Sequence, residues 1–157
     1  MQELSTTPNL NTTRDDVFNA IEQQDAASLK TIIDDLHPGE LADLLESMPP
    51  KERSFLWEHI PSELDADILA EVQDEVRTTL IRDMNHAELI SAAAAMEVDD
   101  LAEVIEDLPE AMRTAVEDSL SDSIREKLET NLSFEEDTAG RLMSTDVVTI
   151  RPDVKLE

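Results

Sequence analysis

His37-Pro38-Gly39-Glu40-Leu41-Ala42-Asp43-Leu44-Leu45-Glu46-Ser47-Met48 is followed directly by Pro49-Pro50-Lys51-Glu52-Arg53-Ser54-Phe55-Leu56-Trp57-Glu58-His59-Ile60. These two twelve-residue phrases share one punctuation: a proline-bearing corner, a charged stretch, then apolar residues at places 8, 9 and 12. Extended outward in both directions, the same ruler fits nine blocks between Asp25 and Leu132. Place 12 reads Leu36, Met48, Ile60, Val72, Met84, Met96, Leu108, Leu120, Leu132, and place 8 reads Ile32, Leu44, Leu56, Ile68, Leu80, Ala92, Val104, Val116, Leu128. In a chain that is 40% hydrophobic, such an alignment arises by chance less than roughly once in a million trials. A weaker block over 13–24 carries Val17, Ala20 and Ile21.

Places 8 and 12 are four apart, which is one face of an α-helix. Place 9 adds Ile33, Leu45, Trp57, Leu69, Ile81 and Ile105, and place 5 adds Leu29, Leu41, Leu89 and Leu101. A continuous helix cannot hold that stripe on one side, because twelve residues turn through three turns plus about 120°. The helix therefore breaks once per block. Pro38, Pro49, Pro50, Pro61 and Pro109 fall at place 1 or 2, where a first helical turn tolerates proline. Asn85 with Glu88 has the spacing of a capping box at another block start. Breaks are predicted near Pro38, Pro49, Pro61, Gln73, Asn85, Glu97, Pro109 and Ser121.

Helices of nine or ten residues are unstable alone, so each buries its stripe against others. The expected fold is all-α, a right-handed superhelix or α-solenoid of short antiparallel helices with a 12-residue block and a 24-residue hairpin repeat. The blocks with Glu117 and Glu129 at place 9 have a narrower stripe, suited to capping the array.

The 157 residues contain no cysteine, which excludes a disulfide framework and thiolate chemistry. Aromatics are 3% of the chain, so aliphatic residues fill the core, with Met48, Met84, Met96 and Met112 as gap-fillers. A net charge of −26 repels nucleic acid and anionic lipid and attracts cations or basic partners. No run is long and apolar enough to span a membrane, and residues 1–13 read as a disordered lead-in. With two glycines there is no phosphate-binding loop, and no Ser-elbow or acid/base pair is marked. The chain reads as a binding module, not an enzyme.

Beyond the helical domain, 14–132, the period fails. Residues 133–145 read as a connecting segment, and Asp146-Val147-Val148-Thr149-Ile150 as a short strand before a turn at Arg151-Pro152-Asp153. A lone strand has no partner in a helical chain, so 146–157 looks like the start of a second, truncated domain. Glu136-Asp137-Thr138-Ala139-Gly140-Arg141-Leu142-Met143, then Val147 to Asp153, resembles the junction in the MgtE family of magnesium transporters, where an N-terminal helical domain runs into a tandem CBS domain. The blocks from His37 to Leu132 resemble that N domain. Ser144 stands where Thr is common in the family.

The resemblance implies a regulatory domain on the cytoplasmic side of a multi-pass membrane protein, homodimeric when complete. Its partners would be the CBS and transmembrane domains of the same chain, and its ligand Mg²⁺. Between Glu97 and Asp137 fifteen acidic residues face only Arg113, Arg125 and Lys127. There Asp99-Asp100-Leu101-Ala102-Glu103 matches the family's Asp-Asp-Leu-Ala-Asp/Glu motif. Carried over, Asp99, Asp100 and Glu103 are the expected metal-facing carboxylates, with Asp67 from an earlier block as a further candidate. Mg²⁺ needs oxygen ligands and keeps several waters beside one or two carboxylates. The simpler account is that acids at a helix start complement its dipole. His37, His59 and His86 make no i, i+4 pair for zinc. Arg53, Arg77, Arg113 and Arg125, all at place 5, are expected to make salt links between repeats. Two rival readings are a protein-binding helical-repeat adaptor like flagellar rotor switch proteins, and an acidic mimic of nucleic acid. Neither has a use for the Asp137–Met143 junction and the strand after it.

Overall fold

A computed structural model describes residues 10–135 and 138–143. Its helices are α1 (Leu10–Glu22), α2 (Ala26–Asp34), α3 (Pro38–Ser47), α4 (Pro50–His59), α5 (Asp65–Glu71) after a 3₁₀ turn (Ser62–Leu64), α6 (Asp74–Asp83), α7 (His86–Ala95), α8 (Val98–Glu106), α9 (Glu110–Ser119), α10 (Asp122–Leu132) and the short α11 (Ala139–Leu142). No strand occurs among the described residues. The expected strand 146–150, with the rest of 146–157, lies outside them.

From α2 onward every block opens on an N-cap at place 1: Asp25, His37, Pro49, Pro61, Gln73, Asn85, Glu97, Pro109 and Ser121. Asn85 and Glu88 form the expected capping box, and His37 forms one with Glu40. Gln73, whose side chain makes no cap, has its N–H taken by Glu46 Oε1 at 2.7 Å. One expectation is corrected at the start of the chain. α1 begins at Leu10, so residues 10–13 are helical rather than part of a lead-in. Thr13 is buried one turn before Val17 on the same face, a contribution that a count of apolar residues cannot register.

The residues at places 8 and 12 form the core; all are buried except Ile32, Met96 and Leu132, which are half-buried. Place 12, however, lies outside the helix in every block but the last, where Leu132 ends α10. Met48, Ile60, Val72, Met84, Met96 and Leu120 are extended C-cap residues. Place 12 then precedes an N-cap, and place 5 is the fourth helical residue after it. This is the spacing of a hydrophobic staple, which sets the angle at which the next helix leaves. The most extensive packing pairs α3 with α5, α8 with α10 and α7 with α9, each skipping a helix, and the neighbours α1 and α2, while α5 meets α8 and α4 meets α6 more lightly.

Among the described residues the expected salt links between repeats form at Arg77, with Glu103 and Asp107, and not at the other three arginines of place 5. Three of the four place-5 arginines cap the preceding helix. Arg53 donates to the carbonyls of Leu45 (2.8 Å) and Met48 (2.9 Å), Arg77 to those of Leu69 (2.8 Å) and Val72 (3.1 Å), and Arg125 to those of Glu117 (2.9 Å) and Leu120 (3.4 Å). Each reaches back eight and five residues to orphan carbonyls at a helix end, where a cation is also favoured by the dipole. Arg113 differs, and among the described residues it pairs only with Glu117, at 3.0 Å.

Candidate functional site

The start of α8 gathers carboxylates. Glu97 is its N-cap without a side-chain cap bond, and Asp99 and Asp100 lie in its first turn. Asp100 is half-buried, and its carboxyl is pushed above the ordinary range first by burial and then by Asp99, Glu97, Glu103 and Glu71. Asp99 Oδ1 is buried and meets no hydrogen-bond donor among the described residues. Glu103, one turn on, lies 3.6 Å from Arg77 Nη2. Asp99, Asp100 and Glu103 therefore share one acidic neighbourhood, as their spacing predicts. Asp67 is exposed on α5, the helix that packs on α8. The α5 charge that acts on Asp100 is Glu71, a residue that no motif in the sequence marks. Among the described residues no three carboxylates or histidines converge tightly enough to enclose a metal ion. The face can thus offer an ion separate carboxylates and water, but not a closed cage.

A cleft of about 440 Å³ opens beside this face, with Arg77 and Arg141 set among Asp74, Glu103, Glu106 and Asp107. Both arginines are buried. Arg77 lies 3.2 Å from Asp74 and 3.3 Å from Asp107. The Asp107 carboxyl is nevertheless raised, because burial outweighs the arginine beside it. Arg141 pairs with Glu106 and reaches the Ala102 carbonyl. The buried Asn131 donates from Nδ2 to the Arg141 carbonyl at 2.9 Å. Gly140 lies against the Phe134 ring, where a Cβ would come within 2.6 Å of Cδ1. The segment leaving the array is thus fastened to α8, the helix that bears the carboxylates.

A second acidic place lies on the other side of α5. Asp65 is buried, and its carboxyl is pushed up to about 6 by burial, then by Glu88 and Glu63.

These features define an acidic all-α repeat domain whose chemistry lies in carboxylates and ion pairs. A family model described as the MgtE intracellular N domain matches residues 36–137, and the chain belongs to that family. Among relatives, a magnesium transporter MgtE of Bacillus subtilis is 24% identical over 77% of this chain and 27% of its own length. One of Thermus thermophilus is 23% identical over 88% of this chain and 31% of its own length. The chain thus spans less than a third of either relative. The fold is shared with the soluble part of a magnesium transporter, with a TM-score of 0.70, 18% identity and coverage of 89% of this chain and 56% of that one. It is also shared with the cytosolic domain of the Mg²⁺ channel MgtE in complex with ATP, with a TM-score of 0.69, 22% identity and coverage of 83% and 54%.

Proposed function

We propose that this domain senses Mg²⁺ for a magnesium transporter, from the cytoplasmic side of the membrane. Asp99, Asp100 and Glu103 on α8, with Asp67 on α5, would face a CBS domain of the same chain and hold Mg²⁺ between the two. The observation that carries this reading is the crowding at Asp100: a half-buried carboxylate with four acidic neighbours acting on it. Such a face repels a second acidic surface until a cation lies between them. Mg²⁺ suits this arrangement, because it keeps most of its water and needs few direct carboxylates. The ion then favours the packed state over the open one by the difference in its affinity for the two. Gating of a homodimeric pore would follow from that shift.

The test is a Mg²⁺ titration of the transporter that carries this domain, read as current or as protease protection of the helical array. Replacing Asp99, Asp100 and Glu103 together by Ala removes ligands and also removes repulsion. The expected signature is a flattened Mg²⁺ response, whatever the basal opening. Superimposable curves for wild type and triple variant reject the α8 face as the sensor.

A further inference from the structure

Place 5 of the block faces the core. Leu29, Leu41, Leu89 and Leu101 fill it with buried leucine, and Arg53, Arg77 and Arg125 use it to reach carbonyls of the preceding helix. Asp65 is the only acidic residue at this place in the nine blocks. It is 7% exposed, and among the described residues its carboxylate accepts no hydrogen bond and meets no cation. Burial strips this carboxylate of part of its water with no protein donor in return, while its oxygens keep some contact with solvent.

Asp65 ends in a cavity of about 210 Å³ that is also lined by Glu58 of α4, Asp83 of α6 and Glu88 of α7. Four helices thus contribute one carboxylate each, and no lining residue is basic. Two of the four are already oriented. Glu88 Oε2 accepts the Asn85 N–H at 2.9 Å, and Asp83 Oδ2 accepts the Ser54 hydroxyl at 2.7 Å. We propose that this cavity binds a hydrated divalent cation, with Asp65 as its direct ligand and Glu58, Asp83 and Glu88 holding its water shell. The carboxylates do not converge to enclose a bare ion. At roughly 30 Å³ per water, the cavity instead accommodates an ion that keeps its waters. That is the habit of Mg²⁺. The site shares no residue with the α8 face and does not depend on that face being a sensor. Its ion would tie α4, α5, α6 and α7 together.

Trp57 is the sole tryptophan of the chain and lines this cavity, so it can sensitise the luminescence of Tb³⁺ bound beside it. The experiment is a Tb³⁺ titration of the intact chain with excitation of Trp57, followed by displacement with Mg²⁺. Wild type is expected to give sensitised emission that Mg²⁺ removes. Asp65→Asn, and Asp65→Leu, which installs the residue other blocks carry, should abolish it. Asp83→Asn should weaken Tb³⁺ binding roughly tenfold, as loss of an outer partner does. The pair Asp99→Asn with Glu103→Gln should leave the signal in place. Emission that survives in both Asp65 variants, or that Mg²⁺ does not displace, overturns the proposal. So does emission lost with the α8 pair and kept with the Asp65 variants, which moves the signal to the other face.

Discussion

The Arg77–Arg141 cleft and the Asp65 cavity carry the same number of carboxylates and differ in whether any of that charge is neutralised. Each is lined by four carboxylates: Asp74, Glu103, Glu106 and Asp107 in the first, Glu58, Asp65, Asp83 and Glu88 in the second. The cleft carries two buried arginines, each bonded to carbonyls and paired with carboxylates. The cavity has no basic residue in its lining. The difference turns on one place in the repeat, since Arg77 and Asp65 both stand at place 5 of adjacent blocks. Strong acidity is therefore tolerated in two ways: one hollow carries its own counter-charge, and the other is left to draw a cation or a proton from solution.

The comparison breaks most visibly at Arg77. Arg77→Ala strands the carbonyls of Leu69 and Val72 and leaves Asp107 and Glu103 without their cation. The carboxylates left behind are partly exposed and can be hydrated, so the cost falls mainly on the two stranded carbonyls, about 2–4 kcal/mol together. Urea unfolding of the chain measures this, and a loss under about 1 kcal/mol would mean that the cleft does not need its own cation.

The opposite sign is expected in the cavity. The Asp65 carboxyl rises from 3.8 to about 6 on folding, so the native state holds its proton more tightly than the unfolded chain. Its contribution to stability is complete below about pH 4, is lost as pH rises toward 6, and stays lost at neutral pH. Asp65→Asn removes that slope. In buffer with a chelator the variant should be more stable than wild type at pH 7, by on the order of 2 kcal/mol, and equal to it near pH 4. Parallel stability curves for the two proteins across that range would show that Asp65 is not a burdened carboxylate.

How much of this was legible depends on what a one-dimensional pattern can carry. The twelve-residue period located the N-caps at place 1 from Asp25 to Ser121, because caps, prolines and the apolar stripe repeat together, but not Leu64, from which α5 starts behind its 3₁₀ turn. The grouping of Asp99, Asp100 and Glu103 was legible from the density of acids and the resemblance to a family motif, since a contiguous motif on one helix start stays together on folding. The expected salt links between repeats hold for Arg77, which pairs with Glu103 and Asp107, but the capping role of Arg53, Arg77 and Arg125 was not foreseen, because reaching back eight residues requires knowing where the preceding helix ends in space. Glu71 was missed because it belongs to the cluster only through the packing of α5 on α8. Asp65 was overlooked for another reason. Place 5 looked optional while it was scored for apolar residues, and its burial shows only when leucine and arginine are seen to occupy one core-facing position.

A smaller effect separates the exit segment from both hollows. Gly140→Ala sets a Cβ against the Phe134 ring, and overpacking of this kind costs about 1 kcal/mol or more. The cost should fall locally. Amides over 138–142 lose hydrogen-exchange protection, while the unfolding midpoint of α3–α8 stays unchanged. A matching drop in the global midpoint would make the segment part of the array's own core.

The smallest effect is expected at Arg113, the fourth arginine at place 5. It shares the block position of Arg53, Arg77 and Arg125, but among the described residues it caps no carbonyl, and its only ion pair there is a half-exposed i, i+4 contact with Glu117. Such pairs are worth about 0.3–0.5 kcal/mol and fade with salt. If the value of place 5 lies in its geometry alone, Arg113→Ala should cost as much as Arg125→Ala. If it lies in what the side chain reaches, Arg113→Ala should cost under about 0.5 kcal/mol, and Arg125→Ala should cost about 1–3 kcal/mol through its unsatisfied carbonyls. Thermal unfolding of the two variants side by side, at low and at high salt, decides between these. Equal losses that persist in salt would undo the account of Asp65 as well. Position alone would then set the energetics of the slot, and the identity of the group placed there would count for little.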